Sequence, residues 1–367
     1  MRTSLNSYLE DFLKRGTETA FANRRGLRVE RWAYRRVAET AYRFARELEA
    51  RGVRRGERVL VWAANSAEWV AAFFGCLLCG VIVVPLDLES APDFAARVLG
   101  QTKARLLLLS SETKLKGAGL GVPSLALEEL GEALSRHSSE PFEPQAVAED
   151  DLVEIIYTSG TTADPRGVCL THRNLLANLA PLEEETRKYL RWERFVHPVR
   201  FLNLLPLSHV FGQFMGLFVP QLLGGEVHFQ DSLNPSEIAR AVKAQRISVV
   251  VTVPRMLESL REHVERHDDG AAEQAAEESR DPGRAVRRPD DDALTFHDAA
   301  RVEFAREAVG RLRDAPVRAA LDAQPAPFGE GGLVAALQEV FEVAVERGTH
   351  GKPLGQIIKS LLGHALK

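Results

Sequence analysis

The residues best suited to chemistry lie in one string, Ile155-Ile-Tyr-Thr-Ser-Gly-Thr-Thr-Ala-Asp-Pro-Arg-Gly-Val168, where an apolar run gives way to hydroxyls and glycines. A buried strand running into such a loop can surround a phosphate group with backbone N–H groups and with the hydroxyls of Thr158, Ser159, Thr161 and Thr162. Gly160 and Gly167 permit turns and close backbone approaches that a side chain would block. Arg166 adds a permanent cation. The same composition also suits a polar hairpin loop between two strands. It is not a Walker loop, because no Gly-Lys-Ser/Thr follows at the required spacing. By itself the string marks either an anion-binding loop or a plain connection.

Other reactive residue types are weaker candidates. Ser159 has no histidine and acidic partner placed for nucleophilic catalysis, so a hydrolase is not indicated. Cys76 and Cys79 form a C-x-x-C inside an apolar helical pattern with no second pair, which fits buried small hydrophobes better than zinc or redox ligands. Asp290-Asp291-Asp292 reads as solvated charge, and Arg51, Arg54, Arg55 and Arg58 read as the coat of a turn. His209 follows a short apolar run, a place where a lone histidine is more often a satisfied structural residue than a functional one.

The elements that must carry these residues alternate. Apolar residues at helical spacing predict a helix over 34–50 closed by Gly52, then a strand over 58–62 after the turn at Arg55-Gly56. Ser66 is placed to cap a helix reaching Leu78, Gly80 leads into a strand over 81–84, and Pro85 is expected to stop it. A helix over 92–99 and strands over 105–109, 152–157, 201–204, 226–229 and 247–253 extend the pattern. Helices over 173–180, 210–223, 235–244 and 254–264 fill the gaps. The fold class is therefore α/β, with layered sheets covered by helices.

With 367 residues and 45% hydrophobic content the chain can bury a substantial core. A formal net charge of -4 gives no basic excess of the kind that drives nucleic-acid binding. Three cysteines cannot build a disulfide framework, and residues 1–10 contain no run suited to a signal peptide, so the expectation is a cytoplasmic protein. The most apolar long stretch, 201–225, carries Asn203, Pro206, His209 and Gln213, so no membrane span is expected and at most peripheral membrane contact. Composition changes after Val264. Residues 265–293 hold no Leu, Ile, Phe, Tyr or Trp among dense charge, the signature of a disordered linker. The expected organisation is one domain over 1–264, that linker over 265–293, and a loosely packed helical tail over 294–367.

The full string 157–168, followed by Leu-Thr-His-Arg-Asn-Leu175, resembles the phosphate-binding signature of the adenylate-forming superfamily, which includes acyl-CoA synthetases. Ala163 stands where glycine is commonest and Arg166 where lysine is; arginine keeps the charge without the compact ammonium. The segments 56–70 and 74–86 resemble the family's early core, and 251–256 resembles a strand-to-helix step further on. Leu205-Pro-Leu-Ser-His-Val-Phe-Gly-Gln213 resembles the motif that borders carboxylate and nucleotide, which implies substrate-binding roles for His209, Phe211, Gly212 and Gln213. The resemblance implies nucleotide-binding roles for Thr158, Ser159, Gly160, Thr161, Thr162, Arg166 and Gly167. It implies ATP with Mg2+, a small-molecule carboxylate of medium or long fatty-acid type, and CoA or an acyl-carrier protein as thiol acceptor. The family's aromatic-Gly-x-Thr-Glu and Thr-Gly-Asp strings and its C-terminal catalytic lysine are not found. Lys352 in Gly351-Lys-Pro-Leu354 reads as a surface lysine, and no metal ligand is identified. The chain is thus expected to be a truncated ligase, weakly active or inactive, or else a non-catalytic nucleotide- or acyl-binding remnant.

Overall fold

The strands fall into two sheets because the apolar runs come in two sets, each wound by helices that cannot be buried without a neighbour. A computed structural model describes residues 2–26, 28–158, 165–187, 197–230, 232–264 and 266. In chain order the elements are α1 (Ser7–Arg15), β1 (Thr19–Arg25), β2 (Arg28–Ala33), α2 (Tyr34–Ala50), β3 (Arg58–Trp62), α3 (Ala67–Leu78) and β4 (Ile82–Leu86). There follow α4 (Pro92–Thr102), β5 (Leu106–Leu109), α5 (Ser111–Gly117), β6 (Ser124–Ala126), α6 (Leu130–Ala133), β7 (Leu152–Thr158), β8 (Arg166–Thr171) and α7 (His172–Arg187). The last are β9 (Arg200–Asn203), α8 (Val210–Gln213), a π-helical stretch Phe214–Phe218, α9 (Val219–Leu222), β10 (Glu226–Phe229), α10 (Pro235–Gln245) and β11 (Val249–Val251). A further helix covers 254–264.

One sheet has the order β11-β9-β10-β1-β2 and the other β6-β5-β3-β4-β7-β8. Each is parallel except at one edge, where β2 runs antiparallel to β1 and β8 antiparallel to β7. Between them lies a core drawing Val59, Val61 and Val83 from one sheet and Phe201, Val227 and Phe229 from the other. All of α3 is buried, as expected of a helix apolar on every side. Its Ser66 cap accepts a hydrogen bond from the Trp69 N–H at 3.1 Å. Gly75 lets α3 approach α2, since a Cβ there would stand 2.9 Å from the Ala41 carbonyl oxygen and 2.8 Å from a Phe44 ring carbon. Phe12, Phe73, Phe74 and Phe218 meet nearby in edge-on contacts.

The helix 34–50, the strand 58–62 and the Ser66 cap stand where the sequence placed them. The stop at Pro85 is corrected: β4 continues through it to Leu86. Proline breaks a ladder by lacking an N–H, but β7 pairs with β4 at Val83↔Glu154, short of Pro85, so the missing donor leaves no β7 bond unmade. The last strand is shorter than expected, Val249–Val251. The cysteines behave as small hydrophobes: Cys76 and Cys79 are buried, which pushes both thiols up, Cys79 to about 12. No helix among the described residues is long and apolar enough to cross a membrane. Apart from Arg266, the expected linker and tail, and Lys352 with them, lie outside the described residues.

Candidate active site

β7 and β8 form an antiparallel hairpin in which Thr158 pairs with Arg166 and Tyr157 with Gly167. The connection between them is the hydroxyl-rich loop. Ser159, Gly160, Thr161 and Thr162 lie outside the described residues; Thr158 is the last strand residue before them. Arg166 is exposed, and no acidic side chain among the described residues pairs with it. Gly167 is required by packing: a Cβ there would stand 2.6 Å from Ile155 Cγ2 and 3.0 Å from Tyr157 Cζ, so the aromatic ring lies across the strand where a side chain would be. Both roots of the loop meet Gln101 of α4. The Tyr157 hydroxyl donates to Gln101 Oε1 at 3.1 Å, and Gln101 Nε2 donates to the Pro165 carbonyl at 3.3 Å.

The second motif begins just after β9. His209 has extended backbone at the start of α8, is half exposed, and places Nε2 3.4 Å from Asp87 Oδ2, one residue beyond β4. That contact holds the Asp87 carboxyl below the usual carboxylate range, although partial burial pulls the other way. β4 and β7 are neighbouring parallel strands with Val83 opposite Glu154, and both run toward the same end of the sheet, β4 to Leu86 just before Asp87 and β7 to Thr158. The loop after β7 and the His209–Asp87 pair therefore emerge at the same end of the sheet. Crevices outside the carboxyl ends of parallel strands are where α/β folds bind ligands.

The other members of that motif sit deeper. Gly212 is required because a Cβ there would stand 1.9 Å from the Pro206 carbonyl oxygen. Phe211 packs half-buried against the main core. Gln213 is fully buried, its Nε2 donating to Glu154 Oε2 at 2.8 Å and to the Leu207 carbonyl at 3.0 Å. It joins the substrate motif to the strand leading into the loop. Burial pushes the Glu154 carboxyl up to about 7, with the Gln213 amide opposing the shift.

Four contributors escaped the sequence reading. Asp87 and Glu154 are carboxylates at the end and in the middle of apolar strands, a signal that was visible. Gln101 carried no signal. Asn65, just after β3, donates to the Leu205 carbonyl at 2.7 Å and accepts from the Leu207 N–H at 2.8 Å, clamping the segment before His209 to the other sheet. Among the described residues no group of three His, Cys, Asp or Glu is arranged to hold a metal ion, so no residue is assigned to Mg2+.

A family model described as AMP-binding enzyme matches residues 12–320. Feruloyl-CoA synthase of Amycolatopsis sp is 29% identical over 230 residues, covering 63% of this chain and 45% of that protein. Long-chain-fatty-acid–CoA ligase ACSBG2 of Homo sapiens is 24% identical over 277 residues, covering 69% of this chain and 40% of that protein. The chain thus spans less than half the length of these relatives. Among solved structures, the fatty acyl-adenylate ligase from L. pneumophila, in complex with acyl adenylate and pyrophosphate, superposes with a TM-score of 0.58 at 24% identity, covering 68% of this chain and 44% of that one. ATP-bound MatB from Rhodopseudomonas palustris gives a TM-score of 0.58 at 23% identity, covering 71% and 51%.

Proposed function

Because the chain belongs to the AMP-binding enzyme family, we propose that it carries the nucleotide-handling part of an ATP-dependent ligase that activates a carboxylate as its acyl-adenylate. The observation that carries this reading is that the end of β7 at Thr158, Arg166 opposite it, and the His209–Asp87 pair lie at one end of the parallel sheet. In the reaction a carboxylate oxygen attacks the α-phosphorus of ATP and pyrophosphate departs; a thiol, CoA or that of a carrier protein, then takes the acyl group and releases AMP. Both reactants of the first step are anions. An exposed guanidinium at the root of the loop, without an acidic partner among the described residues, offsets that repulsion, and the backbone donors and hydroxyls of 158–162 take the same role in this reading. Mg2+ supplies further charge neutralisation when bound with the nucleotide.

The substrate reading is a medium or long fatty acid, and the place of action the cytoplasm. The form Leu205-Pro-Leu-Ser-His-Val-Phe-Gly-Gln213 supports the fatty acid, as does similarity to the human long-chain-fatty-acid–CoA ligase. The feruloyl-CoA synthases point instead to an aromatic acid, so both acids belong in the assay.

A second reading, a non-catalytic nucleotide- or acyl-binding protein, is favoured by one observation: the sequence contains neither an aromatic-Gly-x-Thr-Glu nor a Thr-Gly-Asp string. Carboxylate-dependent ATP–pyrophosphate exchange by the purified chain separates the two. Weak exchange is expected, dependent on decanoate more than ferulate, and reduced about 100-fold or more by Arg166→Ala or Thr161→Ala. ATP binding without exchange selects the second reading. Exchange indifferent to both substitutions removes the loop from either.

A further inference from the structure

We propose that Asp87 is a positioning residue for His209, holding the imidazole by Nε2 so that Nδ1 faces the carboxylate substrate. The inference rests on the reading of His209 as bordering that substrate. Asp87 is itself held: its Oδ1 accepts the Glu89 N–H at 2.9 Å, which turns Oδ2 outward to stand 3.4 Å from His209 Nε2. The histidine backbone is held equally, its N–H donating to the Pro206 carbonyl at 3.2 Å and its carbonyl accepting the Gln213 N–H at 3.1 Å. With both main chains fixed, the remaining freedom is rotation of the ring, and the carboxylate restricts it. Side-chain exposures of 52% for His209 and 38% for Asp87 leave the pair facing solvent at this end of the sheet rather than locked in the core.

A carboxylate on one imidazole nitrogen fixes which nitrogen carries a proton and stabilises the ring when it is protonated. Here that leaves Nδ1 as the atom presented to a ligand: an acceptor on the neutral ring, and a donor to an incoming carboxylate on the imidazolium. The held-down Asp87 carboxyl agrees with this pairing. The arrangement joins the two sheets at the point of reaction, since Asp87 follows β4 and His209 follows β9.

The test uses the full chain and two measurements. The carboxyl carbon of Asp87 is titrated by 13C NMR in wild type and in His209→Gln, and the midpoint is expected to rise in the variant. An unchanged midpoint overturns the pairing. Binding of decanoate and of ATP is then measured by calorimetry in wild type, Asp87→Asn and Asp87→Ala. Decanoate affinity is expected to fall about tenfold in both variants, the scale of one charge-assisted hydrogen bond, with ATP affinity unchanged. Equal decanoate affinity in wild type and Asp87→Asn, which keeps an acceptor for the Glu89 N–H and so preserves the turn, overturns the positioning role. If decanoate and ferulate bind to none of the proteins, the carboxylate reading of His209 fails, while the titration still decides whether Asp87 holds the ring.

Discussion

Gly167 shows how a residue expected to serve a ligand can be required by its neighbours. The sequence suggested that its missing side chain lets the backbone approach phosphate; in the structure the space is taken by Ile155 and Tyr157. Adding a methyl 2.6 Å from Ile155 Cγ2 forces the tyrosine ring off the strand and with it the Gln101 contact. Gly167→Ala is expected to destabilise by about 1–3 kcal/mol, read as a lower urea midpoint at unchanged slope. A variant of wild-type stability would show that the ring has room to move. Burial likewise accounts for Gln213. Its place in the motif was legible, but its partner Glu154 lies 59 residues away in sequence, and no local pattern announces such a pair.

At the scale of elements, what was legible had short-range causes. Helical spacing located α2, and the serine before an apolar run located the start of α3. The cap can be tested directly: Ser66→Ala removes the acceptor for the Trp69 N–H at the end of a wholly buried helix. The expected loss is about 1 kcal/mol, seen as a lower thermal midpoint, with Ser66→Asp restoring most of it. What was not legible had long-range causes. The hairpin β1–β2 is rich in arginine, and β2 is exposed or half-buried apart from the fully buried Trp32, so it lacks the apolar alternation that marks a strand. In sequence Pro85 reads as a stop, because its tolerance depends on how far β7 runs alongside. The π-helical stretch Phe214–Phe218 is accommodated where Gly216 lies against Asn203, an amide nitrogen 2.2 Å from where a Cβ would be. The division into two sheets is a matter of partners, which alternation alone does not specify.

For the molecule as a whole, the question is what holds the two sheets in register at the site, and Glu154 offers a way to measure it. Its carboxyl lies in β7 of one sheet, while Gln213 lies in the helix that follows β9 of the other. Ionised, the pair sets two unpartnered acceptors in the core, Glu154 Oε1 and Gln213 Oε1; a proton on the carboxyl supplies the donor that this arrangement lacks. The folded carboxyl titrates at about 7 against an ordinary value of 4.5, so the folded state binds the proton more tightly than the unfolded chain does. Its contribution to stability is complete below pH 4.5 and lost as pH rises through about 7. The difference between the limits is on the order of 3 kcal/mol. Glu154→Gln keeps the acceptor for Gln213 and removes the titration. The variant is expected to match wild type near pH 4 and to exceed it at pH 8, so that urea unfolding followed across this range is flatter for the variant. Parallel pH profiles for the two proteins would mean that the carboxyl is solvated in solution, and that the sheets are joined there by Asn65 and packing rather than by this buried pair.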